Sequence, residues 1–385
     1  MLSWRDRNLN RRVNRKYSAT FLIENNRVIA EDNAGNIIEE GKAGVDDARV
    51  LQSAIDYIHP GGEVKMLRGK YIFAEPVVVY NTTLINGEGR GTIITPPSGD
   101  YAFKVITTEK SPLRSEINGL DVDNSLYGVV FRDFAIDGER KGKGIYMKKL
   151  IDSFFEGLWI VNTDGVGLNI DEYVWECNFE NIHLIGNGNA DMKEATIIIG
   201  GGDNNNLRFE RTEVIFPNYR GVEIGAGNRP YPPRLIFFSH SMFHGLLPIK
   251  KAPPYELIYV NNVDSKRGAV ISDSRITHTG ERSALIKVMR GSVTISNCII
   301  GGGTGMYAIR GEKGAMLRIV GNTFHDGPNY NEYSLYATGS EVIFQANILD
   351  GKETKICLAP ASNSIIVNNR FILDTEECSI WIGDD

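Results

Sequence analysis

Glu223 is the one carboxylate at the centre of the apolar, β-branched run Gly221-Val-Glu-Ile-Gly225. Asp191, Glu194 and Asp203 lie in polar loops just before it, and Arg229 and His244 follow it. Two chemistries use such residues. Hydrolysis of a glycosidic bond takes two carboxylates, about 5 Å apart for retention or about 6.5–9.5 Å apart for inversion. Elimination from a uronic acid takes a base (Lys, Arg, His or Tyr) and a group that neutralises the sugar carboxylate. Glu223, Asp191 and His244 are the candidate catalytic groups, with Arg229, Tyr259 and Lys287 completing either set. The residues alone do not choose between the two.

The elements that must position them are short strands. Side chains alternate across a strand, so in Gly144-Ile-Tyr-Met147 the Ile and Met point inward and Tyr146 outward. By the same rule Asn169, Ile198, Glu223, Lys287 and Tyr336 face out; the Tyr259 run admits either register. Such a column suits a sugar polymer, because aromatic faces stack on pyranose rings while polar groups read hydroxyls. Tyr146, Asn169, Tyr259, Lys287, Arg229 and Tyr231 are therefore the candidate substrate-binding residues. For each residue named, a solvated or structural role is the plainer alternative.

A repeat orders these strands. Units of the form apolar-x-[Asn/Asp/Gly]-x-x-apolar open at Phe131, Phe155, Phe179, Phe209, Phe238, Ile271, Ile295, Val320, Phe344 and Val367. The intervals between them are 24, 24, 30, 29, 33, 24, 25, 24 and 23 residues, so six of nine fall within one residue of 24. Helical repeats are longer and lack this strand chemistry, and the Leu-x-x-Leu-x-Leu frame of leucine-rich repeats is missing. The period predicts an all-β, right-handed parallel β-helix of about twelve coils, at ~4.8 Å per coil a rod of roughly 60 Å. The third residue of each unit, often Asn, Asp or Gly, suits the left-handed backbone of a sharp turn, and stacked Asn side chains can bond along the ladder. His240 falls at such a turn and reads as structural. The intervals of 30, 29 and 33 place extra residues in loops around 186–194, 200–206, 225–234 and 244–255. These loops bracket Ile197–Ile199, Val222–Ile224 and Leu257–Val260 as the expected walls and floor of a groove.

The open ends of a coil stack need covers. Val50, Leu51, Ala54, Ile55 and Ile58 recur at helical spacing, with Asp46 or Asp47 as N-cap and Pro60-Gly61-Gly62 as the stop, predicting a capping helix over about 46–58. The expected organisation is a basic arm and β-hairpin over 1–40, the hairpin turning on Asn25-Asn26, and a β-helix over 41–385. The first 16 residues carry a net charge of +5.

Composition bounds the rest. The 385 residues are 42% hydrophobic and 23% charged, with 41 Gly and 4 Cys, which excludes a disordered tail, a collagen-like fibre and a disulfide-stapled miniprotein. A net charge of −6 argues against nucleic acid as a partner. No apolar run approaches the ~18 residues of a membrane span, and no secretory signal is visible. The four widely spaced cysteines read as buried thiols, and no residues have metal-ligand spacing. Gly202-Asp203-Asn-Asn-Asn206 is compatible with calcium without a diagnostic ligand pattern.

Asp46-Asp47-Ala48, Leu51-Gln52-Ser53-Ala54-Ile55-Asp56, Gly61-Gly62-Glu-Val64 and Gly69-Lys-Tyr71 resemble the opening of the pectate-lyase-like right-handed β-helix superfamily. Leu84-Ile-Asn-Gly-Glu-Gly-Arg-Gly-Thr-Ile-Ile94 resembles its next coil, and the resemblance covers about residues 40–385. Arg68 stands where that opening usually has Pro. The strand-forming leader ahead of the cap also resembles virus tailspike and tail-fibre proteins, which implies a homotrimer at an extracellular or virion surface that binds, and often cuts, host polysaccharide. No Gly-His-Gly or Arg-x-Lys signature of polygalacturonase-like glycosidases is present, and no pectate-lyase calcium or Arg signature matches, so no family active site carries over. The expectation is binding and cleavage of an extracellular polysaccharide by a lyase or glycosidase, with a non-catalytic glycan-binding or structural spike as the alternative.

Overall fold

A computed structural model describes residues 18–111, 125–227, 230–246, 255–279, 281–301, 304–325, 333–351, 354–358, 364–373 and 378–382. The basic arm and Arg229 lie outside the described residues. What winds the chain is its turn residues. Asp133, Gly157, Asn181, Arg211, His240, Asp273, Asn297 and Ala346, each the third residue of its unit, all have φ between 49° and 64°. Each ends one short strand and swings the chain into the next. The described residues form an all-β parallel β-solenoid of about 10 turns with one helix, close to the dozen that the repeat predicts.

The chain divides into two compact units, Met1–His183 and Leu184–Asp385. In the first, the coils stack strand on strand in three sheets, and the first sheet takes two short strands from a coil, such as Leu126–Tyr127 and Val130–Arg132. The coil Val130–Arg132, Ala135–Asp137, Lys143–Met147 pairs in parallel with Phe154–Glu156, Trp159–Val161 and Leu168–Ile170. Phe131, Phe155 and Phe179 stack inward on successive coils, with ring centroids 5.4 and 5.0 Å apart. All three are fully buried, each stabilising the stack by roughly 2–3 kcal/mol.

The helix α1 (Asp47–Tyr57) buries Val50, Leu51, Ala54 and Ile55, and its N-cap is Asp46. Ser18–Glu24 and Arg27–Asp32 form the expected antiparallel hairpin on Asn25 and Asn26, whose φ values are 51° and 63°. The antiparallel strand Ile37–Lys42 is added to it. The hairpin's first strand also pairs in parallel with Glu63–Met66 of the opening coil.

In the second unit the first-sheet strands run Asn205–Glu210, Arg234–Ser239, Ala269–Ser272, Gly291–Ser296, Ala315–Val320, Glu341–Gln345 and Ser364–Val367. Register corrects two anchors of the repeat: Phe344 pairs with Ile319 and Ile366, not with Val320 and Val367. The left-handed residues there are Gly321 and Asn368, one position earlier than the unit pattern places them. Asn322, Asn347 and Asn369 consequently stand just after the turns and stack inward. The Asn322 backbone N–H and Nδ2 both donate to Asn347 Oδ1, at 2.9 and 3.1 Å, and Asn347 repeats this onto Asn369. Cys177, Cys298 and Cys357 are buried.

Candidate functional site

The third sheet of the second unit sets the site. Ile197–Gly200, Val222–Ala226, Ile258–Val260 and Glu281–Val288 are parallel neighbours. Ile198, Glu223, Tyr259 and Lys287 are paired in register, and the column continues through Arg310 and Tyr336. All six are half-buried, while their neighbours Val222, Ile224, Ile258 and Val260 fill the core. The register of Tyr259, open from the sequence, is outward.

Around this column runs a ladder of alternating charge. Arg220 Nη1 donates to Glu223 Oε2 and Arg220 Nε to Glu256 Oε2, both at 3.1 Å. The guanidinium carbon lies 3.6 Å from the Tyr259 ring centroid and 5.0 Å from that of Tyr219. Lys287 Nζ stands between Glu256 Oε1 at 3.8 Å and Glu312 Oε1 at 3.9 Å. Arg310 Nε approaches that same Glu312 oxygen to 2.7 Å. The Thr338 hydroxyl donates to the other Glu312 oxygen at 3.3 Å. Tyr307, Tyr333 and Tyr336 form an aromatic cluster beside Arg310, with centroids 4.8–5.7 Å apart.

The electrostatics follow from burial. Desolvation alone would depress the Arg220 pKa, but Glu223 and Glu256 outweigh it and the net shift is upward. Burial pushes the Tyr259 and Tyr219 phenols up, partly offset by the Arg220 charge. Glu223 and Glu256 bond one planar guanidinium, so two carboxylates are held on the same cation. The site can present two carboxylates, a held cation and aromatic faces to one ligand.

Glu223, Tyr259 and Lys287 are thus brought together. His244 is not: it sits on the second sheet, in register with Ile215 and Thr277, its Nδ1 2.8 Å from Thr277 Oγ1. Asp191 is exposed on the turn closed by the Asn189–Glu194 bridge. Tyr231 is exposed, and its carbonyl accepts the Asp203 N–H at 3.2 Å. Asp203 pairs with Arg234 at 3.1 Å; burial raises its carboxyl pKa against the pull of that arginine. Among the described residues no group of three or more His, Cys, Asp or Glu is placed to hold a metal ion, and no helix is long and apolar enough to cross a membrane. Tyr146 and Asn169 are paired in register on the third sheet of the first unit.

Arg220, Glu256, Arg310 and Glu312 did not emerge from the sequence. Arg220 and Glu256 each precede an outward residue, Glu223 and Tyr259, by three positions, a spacing that marks both as rungs of one flank.

The family model described as "Right handed beta helix region" matches residues 256–384. No curated protein matches the sequence. Among solved structures, the A-module of a mannuronan C-5 epimerase from Azotobacter vinelandii is similar with a TM-score of 0.60 at 15% identity, covering 86% of this chain and 97% of that one. PfbA, a surface adhesin of Streptococcus pneumoniae, is similar with a TM-score of 0.62 at 12% identity, covering 86% and 89%. A Geobacillus virus E2 protein, ORF18, has a TM-score of 0.49 at 16% identity; the match covers 89% of this chain but only 59% of that one. Identities this low speak for architecture alone, and with the matched region they agree with a right-handed parallel β-helix fold.

Proposed function

We propose that the chain binds an extracellular or cell-surface polysaccharide across the third sheet of its second unit and cleaves it at Glu223 and Glu256. The observation that carries this reading is the pair of carboxylates on one guanidinium, Glu223 half-buried and Glu256 buried, beside the half-buried column of Tyr259, Lys287, Arg310 and Tyr336. Coils repeat at ~4.8 Å, about the length of one pyranose residue, so successive rungs can address successive sugars. In a hydrolytic step one carboxyl group protonates the leaving oxygen while the other attacks the sugar or activates water. Arg220, which touches both, orients them. The β-helix neighbours include an enzyme named for mannuronan and a surface adhesin, which supports a carbohydrate ligand in general terms.

The test is release of oligosaccharides from purified capsule and cell-wall glycans. Wild-type protein is expected to release them, and Glu223→Gln to lose at least 100-fold in rate while keeping the far-UV spectrum of the wild type. Unchanged turnover in that variant removes Glu223 from the chemistry.

A second reading has its own observation: both carboxylates are already engaged by Arg220, which suits a rigid, non-catalytic binding face. It predicts retention of the glycan by wild type and by Glu223→Gln, with no product from either. We also propose self-association as a trimer at a virion or cell surface. A solution mass of 42.8 kDa, that of one chain, overturns it.

A further inference from the structure

The first unit carries an aromatic face of its own. Tyr101 and Tyr146 stand on the neighbouring third-sheet strands Tyr101–Val105 and Lys143–Met147. Their ring centroids are 5.5 Å apart and their planes meet at 49°, so the rings open as a shallow V. Each phenol is tied at its tip. Tyr146 donates its hydroxyl hydrogen to Asp171 Oδ2 at 2.6 Å, and the Tyr101 oxygen accepts from Asn169 Nδ2 at 2.8 Å. Tying the tips fixes the ring planes before any ligand arrives, and both side chains remain half-buried, neither sunk in the core nor free in solvent. Such preorganisation lowers the ordering cost of binding.

Lys148 stands 3.9 Å from Asp171 and 3.0 Å from Glu172, and Lys143 Nζ lies 5.7 Å from the Tyr101 ring centroid. Lys104 is the register partner of Tyr146, and its ammonium bonds Asp100 at 2.8 Å. A face with two fixed rings and compensated donors and acceptors of both signs fits a polyol rather than an ion.

We propose that Tyr101 and Tyr146, with Asn169, Asp171 and Lys104, form a second carbohydrate-binding site, taking an uncharged hexopyranose unit of a polysaccharide. The sugar ring stacks across the tilted pair while its hydroxyls reach the amide, carboxylate and ammonium. This site does not depend on the cleavage reading, because its rings and ties all belong to the first unit.

The experiment is affinity electrophoresis of the full chain in native gels containing mannan, galactan or dextran, with Glu223→Gln as the background so that no probe is degraded. Retardation in at least one gel is expected, falling five-fold or more in Tyr101→Ala/Tyr146→Ala. Tyr101→Phe/Tyr146→Phe keeps the rings but loses the ties, and is expected to fall between the two. Thermal melting of each variant separates lost binding from lost folding. Equal retardation of the alanine variant and its background overturns the second site while leaving the Glu223 reading untouched. No retardation in any of the three gels also overturns it. Oligosaccharide release by wild type judges the Glu223 reading separately.

Discussion

The Arg220 guanidinium carbon lies over the Tyr259 ring, 3.6 Å from its centroid. The contact joins a residue that precedes one strand to a residue inside the next, so the ring roofs the ion pairs with Glu223 and Glu256. The Arg220 side chain is 16% exposed and that of Glu256 8%, so both act in a medium far less screened than bulk water.

Removing Arg220 therefore takes from the buried Glu256 carboxylate the cation that bonds it at 3.1 Å, leaving the longer 3.8 Å contact with Lys287. Arg220→Ala is expected to cost about 3 kcal/mol, read as a lowered urea midpoint. Arg220→Lys is expected to recover only part, since an ammonium cannot fork to two carboxylates and stack on a ring together. A midpoint equal to wild type in Arg220→Ala would show the network to be stabilising nothing.

Glu256→Gln tests the partner of Glu223. Under the cleavage reading its turnover falls by about 10²–10⁴ with little change in KM, measured as reducing ends released. Loss of binding with turnover per bound chain intact would make Glu256 a ligand contact instead.

Gly225 follows Glu223 by two residues with a φ of 76°, and a Cβ there would sit 2.0 Å from the Asn262 carbonyl oxygen. Both the backbone conformation and the space require glycine. Gly225→Ala is expected to destabilise by about 2 kcal/mol or more and to displace the 261–262 turn that bonds the Gly225 carbonyl through Asn261 Nδ2. Wild-type melting in this variant would contradict the close approach.

Asn347 accepts two hydrogen bonds from Asn322, and its Nδ2 is 3.0 Å from the Ile319 carbonyl oxygen and 3.1 Å from Asn369 Oδ1. Asn347→Ala leaves the buried Asn322 N–H and one of its two Nδ2 hydrogens unanswered, the other still bonding the Ile295 carbonyl, at a cost of about 3 kcal/mol. Hydrogen exchange should rise at the Asn322 amide before the rest of the coil opens.

His244 gives a pH signature. Burial, and after it the Arg275 charge, holds its imidazole below the ordinary value of 6.5. The unfolded chain therefore takes up a proton at a pH where the folded protein does not. This contribution to stability is complete above pH 6.5 and is lost as the pH falls through the folded value. His244→Asn is expected to flatten the fall in urea midpoint between about pH 7 and pH 5; an unchanged slope would mean the histidine titrates alike in both states.

Much of the architecture was legible because one residue type recurs at one interval. Phe131, Phe155 and Phe179 announce the coil length, and their rings do stack on successive coils. The anchors slipped by one at Val320 and Val367 because Ile319 and Ile366 are equally apolar, and only pairing distinguishes them. Alternation likewise placed Glu223 and Lys287, since it is a property of the strand itself, and left Tyr259 open until its pairing with Glu223 fixed it. It is silent about Arg220, Glu256 and Glu312, which lie just outside the strands, where local backbone direction decides where a side chain goes. His244 was grouped with Glu223 by closeness in sequence, yet one turn between strands is enough to move it to another sheet.

The pairing of Ser18–Phe21 with Glu63–Met66 has a consequence for how such a chain can lengthen. With that edge already occupied by a segment from upstream, a duplicated coil has no free hydrogen-bonding row to join there. Turns added at this end must be spliced in behind the leader and α1, which stay as a fixed lid while the coil count grows.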